Sequence, residues 1–189
     1  MNTFFTSDTH FEHKNILKFC PNTRHGDNAE DMTWNMVHAI NRKVGPDDEL
    51  FFLGDLSFCG PGPTKRYLQA IKCQNKHLIM GNHDQVLQHD DVRAEFKTVR
   101  HYHVHRWEGW RFVLFHYPMR EWEGMHKGYF HLYGHVHGNL LSEQDKWGRS
   151  MDVGVDARPD ALMEPWSIQE IFKKLKNRPV LAHHGKTMV

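Results

Sequence analysis

Short apolar runs and segments of helical period alternate through the first half of the chain. Asn2-Thr3-Phe4-Phe5-Thr6-Ser7 reads as a buried strand that stops at Asp8. Met32, Met36, Val37 and Ile40 recur at helical spacing between Asn28 and Val44, and Gly45-Pro46 ends that helix. Glu49 to Leu53 is a second strand, closed by Gly54-Asp55. Pro63 to Ile71 reads as a helix, and Lys76 to Met80 as a third strand running into Gly81-Asn82-His83-Asp84. Strand–helix–strand–helix–strand predicts a parallel sheet covered by helices. The second half changes character. Val99 to Trp107 and Arg111 to Phe115 read as a hairpin turning at Glu108-Gly109-Trp110. Phe130 to Tyr133 and Met151 to Val155 are further strands, and Ile168 to Leu175 is a short amphipathic helix. Residues 1–176 are expected to form one domain and residues 177–189 a loose C-terminal tail.

Composition narrows the class. The 189 residues carry 24 Lys and Arg against 23 Asp and Glu, a net charge of +1, so extended nucleic-acid binding is not expected. No apolar run approaches a membrane span and no signal-peptide pattern opens the chain. Three cysteines (Cys20, Cys59, Cys73) make no disulfide framework, and a cytoplasmic location is expected. Cys59 reads as a small buried residue, not a nucleophile. Seventeen histidines stand out, and their positions matter more than their number.

Five polar clusters follow the strands in order: Asp8-Thr9-His10, Gly54-Asp55, Gly81-Asn82-His83-Asp84, Phe115-His116-Tyr117 and Gly134-His135-Val136-His137. Carboxyl ends of strands in an open α/β sheet are where ligands bind, so the clusters are expected to converge on one rim. Asp8, Asp55 and Asn82 bring oxygen donors; His10, His116, His135 and His137 bring imidazoles. That is too many for one zinc, and the set lacks the thiolates of a structural zinc site. Mixed nitrogen and oxygen donors suit manganese, iron, nickel or zinc better than calcium or magnesium. With one carboxylate shared, they make two sites at the ~3.5–4 Å spacing of two-metal hydrolases.

The five blocks, from Asp8 to His137, resemble the calcineurin-like metallophosphoesterases, and Asp8 to Cys20 is similar to the small bacterial and phage phosphoesterases among them. The resemblance implies an α/β fold: a β-sandwich of mixed sheets flanked by helices, with the site at the C-terminal ends of the strands. It implies that Asp8, His10 and His137 hold one divalent ion, that Asn82, His116 and His135 hold a second, and that Asp55 bridges them. Manganese is the expected metal in vitro, with iron, nickel or zinc as alternatives. His83 would stand by the phosphate and protonate the leaving oxygen while a bridging hydroxide attacks. Asp84 either orients His83 as part of the catalytic apparatus or caps its turn.

The departures shape the expected substrate. Protein phosphatases of this superfamily continue the second block with Asp-Arg-Gly, whereas this chain reads Leu56-Ser57-Phe58-Cys59-Gly60. Loss of that arginine favours a phosphodiesterase acting on small or nucleotide-like diesters, cyclic nucleotides included. The alternatives are a nucleotide phosphomonoesterase, a nuclease acting on short single strands, and an inactive metal-binding module. His13, Arg24 and Arg120 are candidate substrate contacts; the competing readings are a loop histidine and arginines that are solvated or structural. Trp107, Trp110, Trp122 and Tyr117 are core residues, a surface for a base, or a homo-oligomer interface.

Overall fold

The computed structural model describes residues 1–182. The elements run β1 (Thr3–Thr6), α1 (Ile16–Phe19), α2 (Ala29–Lys43), β2 (Glu49–Phe52), α3 (Pro61–Ala70), β3 (Asn75–Ile79), α4 (Asp90–Arg93), β4 (Thr98–Arg100), β5 (Tyr102–Trp107), β6 (Trp110–Phe115), β7 (Phe130–Tyr133), β8 (Ser150–Asp152), β9 (Trp166–Ser167) and α5 (Ile168–Leu175). Two sheets form. The first has the order β4-β3-β2-β1-β9, parallel except for β9; the second has the order β5-β6-β7-β8. In the second sheet β5 and β6 are the antiparallel hairpin and β6, β7 and β8 are parallel.

Local chemistry places the helices. The Asn28 side chain accepts from the Asp31 N–H at 3.0 Å, acidic residues open α2 and Arg42 and Lys43 close it, in accord with the helix dipole. Ser167 and Glu170 form a capping box at the start of α5. Helix α3 starts at Pro61, two residues before the expected Pro63, because proline is pre-set for the first turn of a helix.

The strands of the first sheet are apolar on both faces because both faces are covered. Phe4, Leu50, Phe52 and Leu78 pack with Met32, Met36, Ile40, Tyr67 and Leu68 on the helix side. Phe5, Phe51, Leu53 and Ile79 face Phe112, Leu114, Phe130 and Leu132 of the second sheet. Trp107 and Trp110 close the end of this inner layer around Phe172, and Trp122 packs with Val113 and Met125 outside the second sheet. All three tryptophans are therefore packing residues, and only Tyr117 of the four aromatics stands exposed by the strand ends.

Two expectations change. The run from Val99 to Trp107 is not one strand: it breaks at His101, and β4 joins the first sheet while β5 joins the second. Val99, Tyr102, Val104 and Trp107 are all strand-forming residues, and which partner a strand pairs with is a tertiary matter. The expected tail is docked as far as Leu181, which is 8% exposed and packs on Val113, Trp122 and Met125. The rest of that segment, 183–189, lies outside the described residues. Among the described residues no helix is long and apolar enough to cross a membrane, and all three cysteines are free.

His131 is fully buried on the outer face of β7, with Nδ1 bound to the Val113 carbonyl and Nε2 accepting from the Met119 N–H. Burial pushes its pKa down to about 4. The unfolded chain takes up that proton near pH 6.5 and the folded one does not, so stability is complete above pH 6.5 and falls until about pH 4. The loss amounts to ~3 kcal/mol. Urea midpoints measured across this window should drop in the wild type and drop less in H131Q; equal acid limbs would refute the assignment.

Candidate metal centre

All the chemistry-bearing clusters meet where β1, β2 and β3 of one sheet and β6 and β7 of the other end. The sheets are stitched together under that rim. Ser7, after β1, and Gly154, after β8, form a parallel bridge, and His116 Nδ1, after β6, bonds to the carbonyl of Leu53, after β2. Backbone turns at the rim are unusual. Asp8 (φ 55°), His10 (φ 47°), Asp55 (φ 54°), His135 (φ 70°) and His137 (φ 48°) all lie in the left-handed region. Such residues cost roughly 1–3 kcal/mol each and persist only where the surroundings hold them. Here the Asp8 N–H is held by the Gly54 carbonyl, His10 by the Asp55 carbonyl, and His135 by the Asp8 carboxylate. Gly134 and Gly81 admit this crowding: a Cβ on the first would collide with Ser7 and the Asp8 carboxylate, and on the second with Asp55.

The strand-end clusters supply two donor sets. Asp8, His10 and His137 converge within one, and Asp55, His116 and His135 within the other. His10 Nε2 lies 3.8 Å from both Asp8 Oδ1 and Asp55 Oδ2; His116 Nε2 lies 3.5 Å from the same Asp55 Oδ2 and 3.0 Å from Asn82 Oδ1. One oxygen of Asp55 thus faces both sets, and Asn82 joins the second. His116 Nδ1 bonds to the Leu53 carbonyl at 2.7 Å, so Nδ1 carries a proton and Nε2 is the nitrogen that faces Asp55 and Asn82.

The donors fit divalent cations. His10 is 3% exposed, yet neither ring nitrogen has a hydrogen-bond partner, a costly state for a buried polar group unless something else binds it. Its neighbours face it across gaps too long for hydrogen bonds but matched to a cation ~2.0–2.2 Å from each donor. Electrostatics agree. Burial keeps His10 neutral by lowering its pKa. Burial also opposes charge on His116 and His137, but Asp55 and Asp8 outweigh it on the first and Asp156 and Asp8 on the second, raising both. Asp55 is held down to about 2: burial works against its charge, and His116, the His83 N–H and His10 overcome it.

The remaining candidates divide. His83 is exposed beside the centre, its N–H on Asp55 Oδ1 at 2.8 Å and its ring 6.1 Å from that of His10. His13 stacks on Phe58 at 4.0 Å and on His10 at 5.4 Å, at the edge of the centre. Asp84 does not touch the His83 ring. Its buried carboxylate accepts the N–H groups of Gly81, Asp55 and Leu56 at 2.7–3.0 Å, so of its two readings the turn cap holds. Arg24 is not a substrate contact either. It lies 3% exposed beneath the centre, paired with Asp156 and donating to the carbonyls of Asp8 and Thr9. Arg120 is exposed and lines a separate groove with Met119, Tyr133, Leu140, Glu143 and Trp147.

Sequence reasoning missed Asp156 and Asp152. Asp156 binds His137 Nδ1 at 2.7 Å and Arg24 at 2.6 Å, fixing the imidazole so that Nε2 points to Asp8. Asp152, buried, accepts the N–H groups of Gly138 and Gly154 and holds the turn after His137. Asp152 ends β8 and Asp156 lies four residues on, so both stand at the end of an apolar strand, the same signal that marked the other clusters. Replacing Asp156 by Asn should weaken metal binding ~10–100-fold. A titration of D156N with manganese that matches the wild type would show that His137 needs no such support.

The chain matches the family described as calcineurin-like phosphoesterase over residues 1–187. It is 30% identical over 142 residues to an uncharacterized protein of Methanocaldococcus jannaschii, covering 74% of this chain and 72% of that one. It is 35% identical over 88 residues to the gene 66 protein of Mycobacterium phage L5, covering 44% and 40% of the two chains. Its fold is similar to that of a crystallised Aquifex aeolicus protein of unknown function, with a TM-score of 0.71 at 23% identity over 92% of this chain and 99% of that one.

Proposed function

This chain belongs to the calcineurin-like phosphoesterases, and from that membership we propose that it is a two-metal phosphodiesterase acting on small or nucleotide-like diesters. The family makes it a hydrolase of phosphate esters that works with divalent metal ions. Asp8, His10 and His137 would hold one ion and Asn82, His116 and His135 the other, with Asp55 between them. Manganese is the metal of choice in vitro, since the donor set accepts several ions and supply decides among them. Ions bound there would supply Lewis acidity at the phosphoryl oxygens and lower the pKa of water.

The protein's own groups do the rest. Asp55 is shared between the sets, and its backbone is held by Asp84, so it keeps both in register. His83 stands beside the centre on a backbone tied to Asp55, its ring 6.1 Å from that of His10, and serves as the general acid. An alkoxide leaves poorly without a proton, and His83 would supply it.

The preference for diesters rests on Arg24. A dianionic monoester calls for a cationic clamp, and this guanidinium is committed beneath the centre to Asp156 and two carbonyls. Phe58 and Cys59 stand where the protein phosphatases carry Asp-Arg.

Metal-stripped protein restored with manganese should hydrolyse an aryl phosphodiester faster than the matching aryl monoester. A monoester preference overturns the diester reading, and two bound metals with no turnover of either ester would favour a metal-binding module. H83A should cost ~10²–10⁴-fold in kcat on a diester with an alkoxide leaving group and much less on a p-nitrophenyl ester, whose leaving group needs little proton help. Equal losses on the two would remove His83 from the acid role.

A further inference from the structure

Beyond His83 the rim opens into a groove of about 360 Å³ between the turn at residues 57–61 and the segment 83–89. Phe58 and Pro61 form its apolar side; His83, Gln85, Gln88 and His89 form its polar side. Among the described residues no lysine, arginine, aspartate or glutamate lines it. The Phe58 ring packs against His13 and His10 at 4.0 and 5.0 Å and lies 5.0 Å from His83, yet it remains 42% exposed.

Exposure alone would mean little, since Phe19 and Leu162 are more exposed; what sets Phe58 apart is that its ring borders His10, His13 and His83 and lines the groove. Nor is it a loose surface residue. The Phe58 N–H donates to the Phe11 carbonyl at 2.9 Å, and Ser57 Oγ, bonded to Thr64 Oγ1 at 2.7 Å, takes the Cys59 N–H at 3.2 Å. The ring is thus pre-set before any ligand arrives, and a pre-set surface loses little freedom on binding.

We propose that this groove receives the leaving group of the ester, and that the leaving group carries an uncharged planar ring, such as a nucleoside, stacked on Phe58. The inference rests on the phosphodiesterase reading and adds the substrate class. Position argues for the leaving group, since His83 lines the groove and is the residue assigned to protonate the departing oxygen. Chemistry argues for the ring. An exposed aromatic face stacks any planar heterocycle, and the amides of Gln85 and Gln88 and the imidazole of His89 offer hydrogen bonds to its edge. A second phosphate or a polyanion would find no permanent positive charge there.

The test uses two methyl phosphodiesters that differ only in the leaving group, p-nitrophenyl or trifluoroethyl, and the variants F58A, F58L and F58W. Leucine keeps apolar bulk against His10 and His13 but removes the flat face. F58A and F58L should lose about tenfold or more in kcat/KM on the aryl ester relative to the trifluoroethyl ester, and F58W should restore the ratio. Adenosine, bound to zinc-loaded protein and followed by ligand-observed NMR, should dissociate about tenfold more readily from F58L than from the wild type. Equal losses on the two esters overturn the proposal, with or without a fall in metal content, as does adenosine binding that ignores Phe58. If the wild type turns over neither ester, the phosphodiesterase reading fails, and adenosine binding alone decides whether the groove takes a planar ring.

Discussion

Two sheets must deliver the ends of their parallel strands to one rim, and the hydrogen bond from His116 Nδ1 to the Leu53 carbonyl is where that requirement is met. It spans from the end of β6 to the end of β2, so it fixes the spacing of the sheets at the level of the site. It also chooses the tautomer of His116 and aims Nε2 at Asp55 and Asn82. Sandwich packing and donor geometry are therefore one arrangement. The aromatic layer of Phe5, Phe51, Phe112 and Phe130 supplies the burial that holds the sheets together, and the strand-end bonds turn that adhesion into positions for side chains.

The same economy governs charge. Asp8 and Asp55 sit buried, opposite imidazoles and with their lone pairs facing a gap, which is tolerable only where positive charge compensates. Arg24 and Asp156 form a buried pair below them. Asp156 uses its oxygens on Arg24 and His137 together, so a structural ion pair and the orientation of a candidate ligand are the same contact. Arg24, buried beneath the centre, is thus committed to Asp156 and two carbonyls, and the groove beyond His83 pairs Phe58 and Pro61 with the amides of Gln85 and Gln88.

Much of the fold was legible because a parallel sheet covered on both faces leaves a plain signature. Continuous apolar runs at Phe4 and at Leu50 to Leu53, separated by a helix with its own cap and stripe, admit few other arrangements. The break at His101 was not legible. Thr98–Arg100 and Tyr102–Trp107 carry similar strand-forming residues, and their separation into different sheets follows from what lies beside them, β3 in one case and β6 in the other. The docking of Leu181 was hidden for the same reason: an apolar residue in a polar tail shows its use only when Val113 and Trp122 supply the pocket.

For the candidate site, sequence alone determined the inventory and the order of donors. Polar residues that end apolar strands have to lie at strand ends, and a parallel sheet sends those ends to one side, so Asp8, His10, Asp55, Asn82, His83, His116, His135 and His137 could be named together. Tertiary structure alone decided what each does to its neighbours. Arg24 and Arg120 look alike in the chain, yet one is locked under Asp8 and the other lines a different groove. Asp84 turned out to grip backbone amides, Asp156 to hold His137, and Phe58 to stay half in water beside His83. The physical reason is range. Strand and helix signals are written in neighbours a few residues apart, whereas hydrogen bonds, ion pairs and ring contacts act over ~3–6 Å between residues that the chain keeps far apart, such as Arg24 and Asp156.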